Sequence, residues 1–241
     1  MYNIIRVSEK LKISLKGVAI IPQRIAEAYV GEYASGKSEV ALNRALTLVK
    51  DGSRKVTLVD LDLVEPFYTL RPLKKELEQK GLHVLAWDTA KTMGLGEAGN
   101  LIKPEMRWAL KTDGDVIFDV GYGVYGAKKL NLVEDANQGE LKIFVVINIA
   151  RPLTGDYESI LEYVRELGTV HGLINNSHLG DDTDIEIIQE GARVVSEAAR
   201  TLNLPVIWTT ADIRFAGELG KADAAGNPVF YLERHMQRGF W

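Results

Sequence analysis

The 241-residue chain contains no cysteine. Disulfide bonds, thiolate zinc sites, cysteine-ligated iron–sulfur clusters and cysteine nucleophiles are therefore excluded. The sequence also lacks an apolar run near the roughly 18 residues of a membrane span, and its N-terminus lacks the apolar core of a signal peptide. With a net charge of -4 it has no overall positive field to hold nucleic acid. These absences favour a cytoplasmic protein with no nucleic-acid signature.

The chain also lacks internal repeats, low-complexity tracts and an evident linker. Short β-rich runs alternate with helical stretches, and several of the runs are apolar throughout. This alternation predicts a single α/β domain over 1–241, doubly wound, with a mostly parallel sheet covered by helices on both faces. A short β extension over 1–23 and a tail over about 212–241 flank the core. The predicted strands cover 24–30, 55–60, 82–87, 115–119, 141–148, 170–175 and 204–209, and the predicted helices cover 37–50, 66–80, 104–111, 128–135, 156–167 and 184–202.

Residues 31–38 read GEYASGKS, which is the complete G-x-x-x-x-G-K-S pattern of a P-loop. Gly31 and Gly36 permit a tight turn whose backbone N–H groups can cradle phosphate oxygens. Lys37 can reach the β- and γ-phosphates, and the Ser38 hydroxyl can ligate Mg²⁺. A predicted strand precedes the pattern and a predicted helix follows it, as a phosphate loop requires. The nucleotide-binding residues predicted in this segment are Gly31, Ser35, Gly36, Lys37, Ser38 and Glu39.

Two further apolar strands end in carboxylates. VTLVDLD places Asp60 and Asp62 at the end of one strand, where either could orient an attacking water or a magnesium-bound water. VIFDVGYG ends the other in Asp119, the best candidate for a Walker B aspartate that holds Mg²⁺ directly or through water. Solvated turn aspartates would give similar patterns, because many strands end in such turns.

A later strand ends in the pair Asn175-Asn176. A carboxamide offers a donor and an acceptor side by side, which suits the edge of a purine. Ser177 and His178 follow, so no aspartate stands at the guanine-reading position of an N-K-x-D motif, and adenine is favoured. The alternative is an asparagine pair that only shapes a turn.

Taken together, GEYASGKS, VTLVDLD, VIFDVGYG and GLINN resemble, in order and spacing, the MinD/ParA/CobQ-like class of P-loop ATPases over roughly residues 24–210. The resemblance implies that the chain uses ATP and Mg²⁺. It implies that Lys37, Asp60 and Asp119 are the catalytic residues, with Asp60 positioning the hydrolytic water. Ser38, Asp60 and Asp119 would surround the metal, and Asn175 or Asn176 would contact adenine. It further implies a homodimer and a protein partner.

Two positions depart from this class. MinD and ParA carry a lysine directly after the first P-loop glycine, and that lysine crosses a sandwich dimer to the partner's phosphates. Glu32, of opposite charge, stands there in this chain, so the trans-lysine mechanism is not carried over. The usual Pro-Pro pair after the Walker B aspartate is replaced by Val120-Gly121, which predicts a more flexible loop.

Three functions fit these residues. The first is a Mg²⁺-dependent ATPase that acts as a nucleotide switch with a protein partner. The second is an ATP-dependent kinase or ligase of CobQ-like type that acts on a small acceptor, and the third is a non-catalytic nucleotide-binding scaffold. The sequence leaves the roles of two segments undecided. The first, 89–103, is either a functional lid or an ordinary surface loop. The tail over 230–241 has helical spacing, for which we favour packing on the domain over membrane contact.

Overall fold

The computed structural model describes residues 23–50, 52–62, 70–87 and 102–236. Within these residues, eight strands form one sheet in the order β3-β2-β4-β1-β5-β6-β7-β8, and every neighbouring pair is parallel. The strands are β1 (Ala26–Gly31), β2 (Val56–Leu61), β3 (His83–Leu85), β4 (Asp115–Val120), β5 (Lys142–Ile147), β6 (Gly172–Asn175), β7 (Val206–Asp212) and β8 (Val229–Leu232). All strands of the sheet therefore end at one edge, where loops from different strands can meet.

Helices cover both faces of this sheet. They are α1 (Lys37–Val49), α2 (Lys74–Gln79), α3 (Pro104–Arg107), α4 (Gly123–Ala127), α5 (Tyr157–Leu167), α6 (Ile185–Leu202) and α7 (Ala216–Leu219), joined in places by short 3-10 turns. Along β1, Ala28 and Val30 belong to the apolar core beneath α3, α5 and α6, whereas Tyr29 belongs to the core beneath α1 and α2. The alternation of side chains along a strand thus supplies both cores, and the predicted doubly wound α/β fold is confirmed.

The ends of several helices differ from the predicted ones. The helix expected over 66–80 begins only at Lys74, after a 3-10 turn Arg71–Leu73 that contains Pro72. Proline suits the first turn of a helix but not its interior, which explains the late start. The helix expected over 128–135 is a 3-10 segment, Lys128–Leu132, that continues from α4. Residues 1–22 of the β extension over 1–23, and most of the 89–103 segment, lie outside the described residues.

The tail does not form a helix over 230–236. Val229–Leu232 is instead β8, which pairs in parallel with β7 at the edge of the sheet. Its β-branched and aromatic side chains suit a strand. The helical spacing of the tail predicts a helix here, which is wrong because the edge of β7 is available for strand pairing. Residues 233–236 then turn back toward α1, and 237–241 lie outside the described residues. Among the helices described, none combines the length and apolarity needed to cross a membrane.

Candidate nucleotide site

The phosphate loop connects β1 to α1, and its two glycines occupy positions that admit no side chain. Gly36 has φ +84°, and a Cβ there would overlap the Nδ2 atom of Asn176. A Cβ on Gly31 would lie 2.6 Å from the carbonyl oxygen of Val146. Helix α1 begins directly afterwards at Lys37, so its unpaired N–H groups face the same concavity as the loop. The loop is therefore shaped as an anion cradle.

Neighbouring strands hold this loop in place. Asn176, after β6, donates from Nδ2 to the carbonyl oxygen of Ser35 at 2.7 Å, and its Oδ1 accepts from the Thr210 hydroxyl at 2.5 Å. Arg151, after β5, donates from Nε to the carbonyl oxygen of Ala34 at 3.1 Å. Side chains that follow β5 and β6 thus hold the loop conformation, and Thr210 on β7 supports Asn176 from behind.

Asn175 lies fully inside the protein. Its Nδ2 donates to the carbonyl oxygen of Ile188 and to the Thr209 hydroxyl, and its Oδ1 accepts from the Ser177 hydroxyl at 2.7 Å. The structure therefore gives both carboxamides of the Asn175-Asn176 pair a supporting role. Their contact with adenine stays a prediction, and it would require these bonds to rearrange.

Asp60 and Asp119 face each other on neighbouring strands. They are register partners of β2 and β4, and both are fully buried. Burial raises the pKa of Asp119 to about 7, although Lys37 and Ser38 oppose the rise. Burial, and then the nearby charge of Asp119, raises the pKa of Asp60 to about 8. The structure thus brings the predicted Lys37, Ser38, Asp60 and Asp119 together.

Within the described residues, no hydrogen bond of normal distance and angle reaches Oδ2 of Asp60 or either oxygen of Asp119, although the Ser38 hydroxyl and the Lys37 charge act on Asp119 and Arg71 lies near Asp60. Buried carboxylates without partners are costly, and a cation among them would offset that cost. The described residues contain no cluster of three or more His, Asp or Glu side chains that could cage a metal alone. Mg²⁺ needs no such cage, since one or two carboxylates and substrate phosphates usually hold it. The donor set therefore fits Mg²⁺ with a nucleotide.

Arg71 is a site residue that no sequence motif indicates. Its side chain is 5% exposed, and its Nε lies 3.6 Å from Oδ2 of Asp60. Its Nη2 donates to the carbonyl oxygen of Asp62 at 2.7 Å, and the Asp62 N–H in turn donates to Oδ1 of Asp60. Arg71 lowers the pKa of Asp60 and links it to the 3-10 turn ahead of α2. The sequence signal is absent because eight residues separate Asp62 from Arg71.

The side chain of Glu32 points toward the interior of its own chain. Its Oε2 accepts from the N–H of Leu153 at 3.1 Å and from the Thr154 hydroxyl at 3.3 Å, and the residue is 8% exposed. Burial raises the pKa of this carboxyl group. Tyr33, the next residue, is partly exposed and meets Tyr122 edge to face at 5.4 Å between ring centroids. At the position where MinD and ParA carry a lysine, this chain therefore has a carboxylate that holds the Pro152–Thr154 turn.

The remaining predicted residues have different surroundings. The hydroxyl of Ser35 is buried beside Gly31 and makes no hydrogen bond within the described residues. The carboxylate of Glu39 accepts from the backbone N–H groups of His235 at 2.8 Å and Met236 at 3.0 Å, so it holds the tail. Burial, its largest cause, raises the pKa of Glu39. The sequence could not show this contact because it joins residues almost two hundred positions apart.

His178, which the sequence places shortly after the asparagine pair without indicating a role, lies against the phosphate loop. Its Nε2 is 3.4 Å from the point where a Cβ on Gly36 would stand, and its Nδ1 accepts from the N–H of Gly180 at 3.2 Å. Burial, reinforced by Arg151 and Arg234, lowers the pKa of His178 to about 4. The imidazole is therefore neutral at physiological pH, with its proton on Nε2.

No protein-family model matches the sequence, and no curated protein sequence matches it significantly. Solved structures do match it. The signal recognition particle receptor FtsY from Elizabethkingia anophelis, in complex with GDP, aligns over 79% of this chain and 58% of that chain, with 14% identity and a TM-score of 0.51. The cell division protein FtsY from Thermotoga maritima aligns over 76% of this chain and 60% of that chain, with 15% identity and a TM-score of 0.49. This chain therefore matches only about three fifths of their length, and the likeness concerns the fold.

Proposed function

We propose that this chain is a Mg²⁺-dependent ATPase that works as a nucleotide switch with a protein partner. The observation that carries the proposal is the grouping of Lys37 and Ser38 with Asp60 and Asp119, whose carboxylates are fully buried and largely without hydrogen-bond partners. Burial raises the pKa of both carboxyl groups although Arg71 lies against Asp60 and Lys37 and Ser38 lie against Asp119, so the fold alone does not favour their charged forms. Their presence beside a phosphate loop is accounted for by a cation and a triphosphate.

In this arrangement each residue has a separate task. The loop N–H groups and Lys37 bind the phosphates, and Ser38 and Asp119 hold the metal. Mg²⁺ held by these two residues would supply positive charge that neutralises the phosphates. Asp60 orients the attacking water, and Arg71 keeps its carboxylate in position from the opposite side. Turnover changes the segments that follow Asp60 and Asp119, which the partner reads.

The position of Leu179 supports adenine over guanine. Asn176 supports the phosphate loop, and three residues later, where an N-K-x-D motif has its aspartate, the chain has Leu179 with 49% exposure. A leucine cannot accept from the guanine N1 and N2 protons. The GDP in the FtsY structure belongs to that protein, and a shared fold does not carry its base preference to this chain.

A second candidate uses the same site to transfer the γ-phosphate to a small acceptor, or to activate one. The burial of Glu32 within its own chain favours it, because this position then supplies no cation across a sandwich dimer. Turnover by the purified protein alone separates the candidates: the switch hydrolyses MgATP slowly without addition, whereas a kinase or ligase needs its acceptor. A scaffold would bind MgATP but would neither hydrolyse it alone nor consume it with an added acceptor.

Calorimetric titration with MgATP tests the binding site itself. We expect Lys37→Ala to weaken binding at least tenfold, roughly 1.4 kcal/mol or more, because it removes a charged contact to the phosphates. Lys50→Ala, at the other end of the same helical segment, is the matched control and should bind like the wild type. GTP at equal concentration should not displace a bound ATP analogue. Unchanged affinity of Lys37→Ala would reject the phosphate site, and displacement by GTP would reject only the base preference.

A further inference from the structure

The sheet order determines which way a nucleotide lies in this site. The phosphate loop follows β1, and the two carboxylates lie on β4 and β2, on one side of β1. The γ-phosphate and the metal belong on that side. The nucleoside must therefore extend toward the other side, over the ends of β5, β6 and β7. The elements that line this second side are the first turn of α1 and the loop after β6.

The C-terminal strap, defined here as residues 233–236, lies on the first of these elements. The carboxylate of Glu39, one residue after Ser38, accepts two backbone N–H groups of the strap. One turn further along α1, Asn43 pairs with the backbone of Glu233 in both directions, donating to its carbonyl oxygen and accepting from its N–H, each at 2.9 Å. Four hydrogen bonds thus fix the strap to α1.

Arg234 extends from the strap to the second element. Its guanidinium pairs with the carboxylate of Asp181 in the turn Gly180–Asp182 after β6. It also lies close enough to influence both walls, since its charge lowers the pKa of Glu39 on α1 and of His178 beside the phosphate loop. Arg234 therefore stands between the two walls, on the side of the site away from Asp60 and Asp119.

We propose that the C-terminal strap is the third wall of the nucleoside subsite, and that Arg234 is a binding and specificity residue for the ribose and base of an adenine nucleotide. The inference rests on the proposed nucleotide site. A planar guanidinium can stack on a purine ring and donate to ribose hydroxyls, which a flexible ammonium does less well. The four bonds that anchor the strap use its backbone, so the guanidinium of Arg234, which pairs with Asp181 on one side, keeps further N–H groups for these contacts.

The test compares two ligands that share phosphates and differ in the nucleoside: MgATP and magnesium tripolyphosphate. We expect Arg234→Ala to weaken MgATP binding about tenfold and to leave tripolyphosphate binding within about twofold. Arg234→Lys should fall between the wild type and the alanine variant. Arg193→Ala removes another exposed arginine that pairs with a carboxylate, Glu190 on α6, and is the matched control. A melting curve of each variant checks that the fold is intact.

The other outcomes have distinct meanings. Equal weakening of both ligands would show that the strap only positions the phosphate loop, and unchanged MgATP binding would show no contact; either result overturns the inference. Asn43→Ala, which loosens the strap without altering Arg234, should follow Arg234→Ala in direction. If the wild type binds neither ligand, the proposed nucleotide site itself is rejected, and the inference with it.

Discussion

At the scale of single residues, Asp60 is where the proposed reaction and the stability of the fold make opposite demands. Its carboxylate is fully buried opposite Asp119, and burial raises its pKa to about 8. Asparagine has nearly the same shape without the charge. We expect Asp60→Asn to retain MgATP and to lose roughly 100-fold or more in turnover, because the lost interaction acts mainly in the transition state.

Phosphate release and equilibrium binding, measured on the same preparation, check this expectation. Asp62→Asn is the comparison, since Asp62 follows on the same chain segment, donates its backbone N–H to Asp60 and is the alternative carboxylate for the same task. Normal hydrolysis by Asp60→Asn would contradict the role of Asp60 and make Asp62 the next candidate. The melting temperature of the ligand-free variant should change little, because the substitution removes both the like-charge contact with Asp119 and the ion pair with Arg71.

His178 gives the protein an acid-sensitive point. Its pKa is about 4 in the folded state, against about 6.5 in an unfolded chain. The folded state therefore binds fewer protons in this range, and the stabilisation from His178 is present above about pH 6.5 and is lost as the pH falls toward 4. The loss amounts to about 3 kcal/mol at most.

His178→Asn tests this dependence. The Asn Oδ1 atom can accept from the N–H of Gly180 as Nδ1 of the imidazole does, but the side chain does not titrate. We expect urea denaturation between pH 6.5 and 4 to show a smaller loss of stability for the variant than for the wild type. Parallel pH curves for the two proteins would contradict the assignment.

At the scale of elements, Glu32 joins the phosphate loop to the Pro152–Thr154 turn. Its carboxylate accepts from the N–H of Leu153 and the hydroxyl of Thr154. A lysine at this position would place an ammonium group, which can only donate, next to these two donors. We expect Glu32→Lys to lower the free energy of unfolding by about 1 to 3 kcal/mol, while Glu32→Gln, which keeps an acceptor oxygen, costs less. Urea denaturation of both variants measures the difference, and an unaffected lysine variant would argue against the link.

The sequence predicts much of the fold, because the information for those elements is local. Seven strands, the phosphate loop and the carboxylates at the ends of β2 and β4 follow from apolar runs and from spacing. The sequence does not predict β8, because its residues have helical spacing and form a strand only through pairing with β7. The strap on Glu39 and the approach of Arg71 to Asp60 join distant parts of the chain, which no local pattern encodes.

At the scale of the whole molecule, the position of Glu32 bears on assembly. Because its carboxylate is bonded inside its own chain, we expect any dimer to form without a contribution from Glu32 to the partner's phosphates. Sedimentation of Asp60→Asn with and without MgATP, alongside the Glu32→Ala variant, tests this expectation. A strictly ATP-dependent shift from monomer to dimer that Glu32→Ala abolishes would contradict it.

The bonds from Asn176 and Arg151 to the phosphate loop also decide where in this molecule a signal can arise. Because these bonds order the loop when the protein folds, the entropy cost of ordering it does not reduce the affinity for a ligand. The bonds from Asn176 and Arg151 hold the cradle from the side away from Asp60 and Asp119, so they do not depend on the γ-phosphate. In the proposed switch, the loss of the γ-phosphate would therefore be reported from the ends of β2 and β4, and we expect a partner that monitors turnover to contact the molecule there.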